Sequence, residues 1–319
     1  MSPRMWFIVR RLLMTIPILV AMSIFVFLMI RLVPGDPVTT MLGFRATPEN
    51  VATIRAELGL DQPLIQQYLD WISGILRGDF GQDYISGAPL SELLAQRLPV
   101  TLELTVLAMV FAVLIGVPLG VMAAIRPGWL RRGTGVFVIG AVSIPDFWLG
   151  IMLVLLFTAT LHLLPPSGYV PIAEDPIGNL RYMILPVLTL GIAEAAYILR
   201  TTRGAMEETL SAPFITFHRA KGVPHRTIVF RHALRNASLP IITVIGIQFG
   251  VLLGGAIVVE SLFALPGVGR LIVTAVNQRN YLVVQGGVLL IATLFIFVNL
   301  VTDVLYVWLN PRLEGSGQG

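Results

Sequence analysis

Leu104 to Ile125 reads Leu-Thr-Val-Leu-Ala-Met-Val-Phe-Ala-Val-Leu-Ile-Gly-Val-Pro-Leu-Gly-Val-Met-Ala-Ala-Ile, uncharged between Glu103 and Arg126. A helix of about 20 apolar residues, rising 1.5 Å each, crosses the hydrocarbon core of a bilayer. Five further stretches repeat this pattern. Leu12 to Ile30 is uncharged between Arg11 and Arg31. Thr134 to Leu161 is interrupted by Asp146, and Tyr182 to Leu199 by Glu194. Asn236 to Val259 is free of charge, and Asn280 to Leu309 contains only Asp303. Six spans and an all-α, polytopic membrane fold are predicted.

Composition agrees. Of 319 residues, 22 are basic and 18 acidic, so 13% are charged, against roughly 25% in soluble proteins. Mean hydropathy is +0.82. One large soluble domain lacks the charge to cover its surface. Cysteine is absent, which excludes disulfides, cysteine-ligated metals and a cysteine nucleophile. No metal site is expected from histidine either: His162 falls in one loop, and His218, His225 and His232 in another.

Arginine density sets the predicted orientation. Residues 1–11, 126–133, 200–235 and 311–319 hold 14 of the 22 basic residues in far less sequence than the alternating segments. Both termini and the 200–235 loop are therefore expected in the cytoplasm. The first apolar run, 19 residues long, exceeds a cleavable signal core and reads as a retained helix. The chain divides into residues 1–31 with the first helix, an extracytoplasmic helical loop 32–99, and a five-helix core 100–319 with its loop 200–237. In the outer loop, Thr47-Pro48-Glu49 begins one helix, ended by Gly59. A second is expected over Pro63 to Leu76, with Leu64, Ile65, Tyr68, Leu69, Ile72 and Ile75 at helical spacing. The segment is read as a cap or docking surface.

The 200–235 loop carries more than topology requires. Phe214-Ile-Thr-Phe-His-Arg-Ala-Lys-Gly-Val-Pro224 holds a short amphipathic helix ended by Gly222 and Pro224. His225 to Asn236 forms a second segment leading into the fifth span. Two short helices at an angle fit a groove on a partner. At membrane depth, Asp146, Glu194 and Gln248 are candidates for lining a solute path or for pairing within the bundle. An intramembrane protease would need two of the acids face to face, and this reading is set aside. Asp303, with Asn299 one turn earlier, is expected to make a structural hydrogen bond. Gly246, Gly250 and Gly254 form one small face for helix packing or an interface with another subunit. Pro118 is expected to kink the second span. A phosphate-binding loop needs Gly-x-x-x-x-Gly-Lys-Ser/Thr. Lys221, the sole lysine, follows Ala220 and precedes Gly222, so this chain is not expected to hydrolyse ATP.

Arg219-Ala220-Lys221-Gly222, then His232-Ala-Leu-Arg235-Asn236 and Leu239-Pro240, resembles the cytoplasmic loop of ABC-importer permeases of the dipeptide, oligopeptide, glutathione and nickel class. Leu32-Val-Pro-Gly-Asp-Pro37, Leu58-Gly-Leu-Asp-Gln-Pro-Leu64, Gly78-Asp-Phe-Gly81, Gly254 to Glu260, Pro266-Gly-Val-Gly269, Asp303-Val-Leu-Tyr306 and Asn310-Pro-Arg312 resemble that family in its own order. Where members often carry Tyr-Val-Arg-Thr-Ala, this chain has Phe214-Ile-Thr-Phe-His218.

The resemblance implies a type I ABC importer permease in the bacterial inner membrane. It would form half of a solute path with a second, homologous permease, two ABC ATPase subunits and an extracytoplasmic solute-binding protein. No cofactor is expected in this chain; ATP and Mg would bind in the ATPases. Phe217, Arg219, Ala220, Lys221, Gly222, His232, Arg235 and Asn236 would form the coupling helix and its surroundings. Peptides are the first substrate expectation, with glutathione, a nickel complex or another small solute as the alternative. A stand-alone channel or ion-coupled transporter is the competing class, and co-purifying partners would discriminate.

Overall fold

The computed structural model describes residues 3–31, 38–39, 46–57, 59–126 and 128–309. The motifs at 32–37 and 310–312 lie outside them. Helices dominate, and among the described residues the only β pairing is an isolated bridge between Gln82 and Pro89. We number the helices α1 (Pro3–Arg31), α2 (Pro48–Glu57), α3 (Leu64–Leu76), α4 (Leu90–Ile125), α5 (Trp129–Ser143), α6 (Asp146–Val154), α7 (Pro176–Ser211) and α8 (Pro213–Ala220). Then come α9 (His225–Leu262), α10 (Val268–Asn277) and α11 (Tyr281–Leu309).

Among the described residues, five helices, α1, α4, α7, α9 and α11, are long and apolar enough to cross a membrane. The third predicted span is not one rod. It breaks into α5 and α6, bent by 100°. The cause is local: Pro145 offers no N–H and holds Ile144 extended, at φ −92° and ψ 122°. Six spans result if this bent pair counts as one. α7 runs well past the predicted Leu199, so the 200–235 loop begins inside a helix. α4 continues unbroken through Pro99 and Pro118.

The central contact is α4 against α7. A Cβ on Gly116 would stand 2.8 Å from the Ala195 carbonyl oxygen, and one on Gly120 2.8 Å from that of Leu199. Ala108 and Ala112, both fully buried, continue the Gly116–Gly120 row at four-residue spacing. Small side chains let the two backbones touch, and in lipid this packing replaces hydrophobic driving force. Met183, Leu190, Leu252, Val259 and Phe263 fill the core around this pair.

Two smaller clusters close the ends. Leu90, Leu94, Val268, Ile272, Ala275 and Val283 gather at the face predicted to be outer. Val121, Met206, Ile215, Ile228, Val229, Ala233, Ala237 and Ile241 gather at the face predicted to be cytoplasmic. In the outer loop, α2 starts as expected: the Thr47 hydroxyl oxygen accepts the Asn50 amide at 3.3 Å. Gly59, at φ 65°, follows it.

Candidate functional site

α8 hangs between α7 and α9, held by one buried side chain. Ile215 is fully enclosed in the end cluster, whereas Phe214 and Phe217 are exposed. The helix closes with a Schellman turn: the Val223 amide donates to the His218 carbonyl at 3.1 Å, and Gly222 takes φ 75°. Gly222 is there because a side chain is strained at that angle. The Lys221 ammonium lies 4.3 Å from the Phe217 ring centre. Phe217, Arg219, Ala220, Lys221 and Gly222 all face outward, as do Arg235 and Asn236.

The second segment differs from the expected short helix. His225–Thr227 passes through a π-helical turn, Ile228–Ala233, directly into Leu234–Leu262. The wider turn accompanies a stack of His232 on His218, with ring centres 4.2 Å apart and planes 18° apart. Ile228, Val229 and Ala233 from the same turn are buried beneath α8. α8 therefore packs directly on the start of α9.

Among the candidates at depth, Gln248 of α9 donates from Nε2 to the Glu194 carboxylate of α7 at 2.6 Å, and both are buried. Asp146, in the first turn of α6 just after the break, is within electrostatic reach of Glu194. The three candidates thus gather where α6, α7 and α9 approach one another. Asp303 pairs with Arg11 of α1 at 2.5 Å, fulfilling the expected structural role between helices.

The glycine row on α9 is covered from within. A Cβ on Gly250 would stand 2.6 Å from the Phe295 ring of α11, and Gly246 abuts Thr302 of the same helix. Only Gly254 of the three faces open space. Gly246 and Gly250 are thus packing positions inside this chain rather than a surface for a second one.

Glu260 was singled out only as part of a motif, yet it is the most completely enclosed carboxylate described here. The Thr101 hydroxyl donates to it at 2.6 Å and the Arg270 amide at 2.9 Å, with the Gly269 amide beside them. Thr101 in turn accepts the Val268 amide at 2.9 Å. The carboxylate therefore caps α10 and ties it to α4 and α9. Gly267 and Gly269 are required here because a Cβ on either would strike that carboxylate or the Ile257 backbone. Nearby, Tyr169 donates to Glu103 at 2.7 Å. Burial, then that bond and the charges of Glu103 and Glu174, pushes the Tyr169 phenol up to about 12.

Residues 116–315 match the family described as the binding-protein-dependent transport system inner membrane component. Residues 4–105 match the N-terminal family of the same components. The chain belongs to this family. It is a permease subunit of an ABC importer. A dipeptide transport system permease protein, DppB of Escherichia coli K12, is 42% identical over 333 residues, covering 97% of this chain and 98% of DppB. A Brucella abortus protein named as a peptide transport system permease is 40% identical, covering 96% and 98%. The methionine ABC transporter MetNI, in inward-facing conformations, has a chain of the same fold. It is 21% identical with a TM-score of 0.53, covering 68% of this permease and 96% of that chain.

The short helix expected from Phe214 is present as α8, whereas the Glu260 cap was not anticipated. The available signal was a glutamate one helical end away from Pro-Gly-Val-Gly, with Thr101 buried far upstream in sequence. Chain order places Thr101 and Glu260 159 positions apart, so only folding brings them together.

Proposed function

We propose that this permease carries peptides inward across the cytoplasmic membrane, driven through α8 by ATPases bound beneath it. The observation that carries the reading is the construction of α8. One buried anchor, Ile215, joins it to the bundle, while Phe214, Phe217, Arg219 and Lys221 stand uncovered. An apolar and cationic short helix of this form suits a groove in a partner. Two ABC ATPases holding ATP and Mg supply that groove, a second homologous permease completes the path, and an extracytoplasmic binding protein delivers solute. Both termini lie in the cytoplasm. The names of the DppB and Brucella relatives support a peptide solute.

α9 meets the second permease through a strip offset from the glycine row. Ile247, Val251, Gly254 and Val258 recur at helical spacing, are exposed, and include the one glycine of the row with open space. Asp146, Glu194 and Gln248 border the path at mid-membrane. When the ATPases close, α8 moves, and the π-helical turn carries the displacement into α9.

The test is reconstitution of the assembled transporter in vesicles. R219A/K221A is expected to lower peptide uptake per ATP by roughly 5–150-fold, the usual range of coupling between sites, with insertion and subunit assembly intact. Unchanged uptake per ATP overturns the assignment of α8. Competition by unlabelled peptide, glutathione and nickel complexes identifies the solute, and failure of peptides to compete overturns that part.

A further inference from the structure

We propose that α3 is an interfacial helix, lying in the outer leaflet at the boundary between headgroups and acyl chains. Its sequence gives two adjacent apolar strips. Tyr68 and Trp71 face α1: Phe27 lies 5.3 Å from Tyr68 and 5.8 Å from Trp71 between ring centres. Ser23 and Tyr68 hydroxyls are 2.9 Å apart. The neighbouring strip, Ile65, Leu69, Ile72 and Leu76, sits at i, i+4, i+7 and i+11. Ile65 and Leu76 are 76% and 82% exposed. No residue of α3 is buried. A helix this amphipathic is not left bare in water.

Position decides the occupant. α3 docks on Ser23, Phe27 and Arg31, where the apolar span of α1 ends at Met29. The same turns of α1 expose Ile24, Phe25, Leu28 and Met29. The bare strip of α3 therefore continues at the depth where a lipid-facing surface meets water. Its anchors suit that depth. Tyr68 and Trp71 are amphipathic rings of the kind enriched at membrane interfaces. The Arg31 guanidinium rests 3.3 Å from the Phe27 ring centre and donates to Gln67 at 2.7 Å, holding its charge at the edge of the apolar layer. Beside the strip, on the side turned away from Tyr68 and Trp71, Gln66 and Asp70 are exposed. Lipid covers the one face and solvent the other, as expected of a helix lying in the plane of the interface.

The chain contains no cysteine, so single cysteines can be labelled with nitroxides. The assembled transporter, with cysteine-free partners, is reconstituted in phosphatidylethanolamine–phosphatidylglycerol vesicles. I65C, L69C and L76C report the apolar strip; Q66C and D70C report the polar face. The strip labels are expected to collide with oxygen several-fold more than with a water-soluble nickel chelate, at about 5–10 Å below the phosphates. The polar-face labels are expected to show the reverse. Equal access of the chelate to both faces overturns the proposal. So does protection of the strip from both reagents, which means that protein covers it. Three strip positions keep the test open should one variant fail to assemble. The leaflet rests on the orientation proposed above; an inverted orientation changes only the side from which an impermeant reagent reaches Q66C, not the contrast between faces.

Discussion

Two buried glutamates in this permease sit in opposite circumstances. Glu260 is fully enclosed, with a hydroxyl and backbone amides donating to it and Arg97 supplying attractive charge. Glu194 is enclosed almost as well, yet one donor faces it, Gln248, and a like charge, Asp146, stands nearby. Buried charge is stable only when its lone pairs are satisfied. Glu260 is satisfied and locks α4, α9 and α10 together. Glu194 rests on a single side-chain donor from α9. Hydrogen-bond accounting thus separates a carboxylate held by several donors from one held by a single side chain.

The largest test of this contrast is E260A. It orphans three buried donors, each costing about 1–3 kcal/mol, and uncaps α10. We expect little assembled permease, measured by detergent-extracted yield and fluorescence size-exclusion. Full yield would place Glu260 with Glu194 rather than against it.

G116L asks whether packing is as rigid as the cap. A Cβ there already meets the Ala195 carbonyl at 2.8 Å, so a larger side chain must separate α4 from α7. Overpacking costs about 1–3 kcal/mol, and a fall in thermal midpoint of the purified complex is the readout. G254L, facing open space, is expected to keep the isolated chain stable.

Q248A and E194Q address the other member of the pair. Interhelical hydrogen bonds in membranes are worth about 0.6 kcal/mol on average. Assembly should therefore be near normal while peptide uptake kinetics change. Wild-type uptake in both variants would remove Glu194 from the path and make it a weaker version of Glu260.

The smallest effect is expected at the Arg11–Asp303 pair, which is half exposed. Such pairs contribute about 0–1 kcal/mol, so D303N should leave yield and uptake almost unchanged. A large loss would mean that the α1–α11 contact carries force.

The long apolar helices and the short exposed helix α8 were legible because each is local. An uncharged run, a Gly-Pro stop and an amphipathic octet are written in consecutive residues, and a bilayer or an α-helix responds to that local pattern. The path candidates were legible for a related reason: Asp146, Glu194 and Gln248 are conspicuous against an apolar background. Their meeting was not. Gln248 finds Glu194 across 54 positions, and nothing in the spacing chooses that partner over water. The glycine row was legible as a packing face, and that reading holds for Gly246 and Gly250. Sequence reveals a small face but not what covers it: α11 covers Gly246 and Gly250 and leaves Gly254 open.

By itself the sequence determined that this chain crosses a membrane, which segments do so, and where a short cationic helix interrupts them. Hydrophobic run length and helix stop signals depend on neighbours along the chain. Tertiary structure alone decided the 100° break at Pro145 as a geometry, the cap on α10 by Glu260, and the turning of Gly246 and Gly250 inward. Those depend on satisfying buried polar groups and filling space between helices distant in sequence. In the low-dielectric interior, such demands are met only by partners that folding brings within hydrogen-bonding distance.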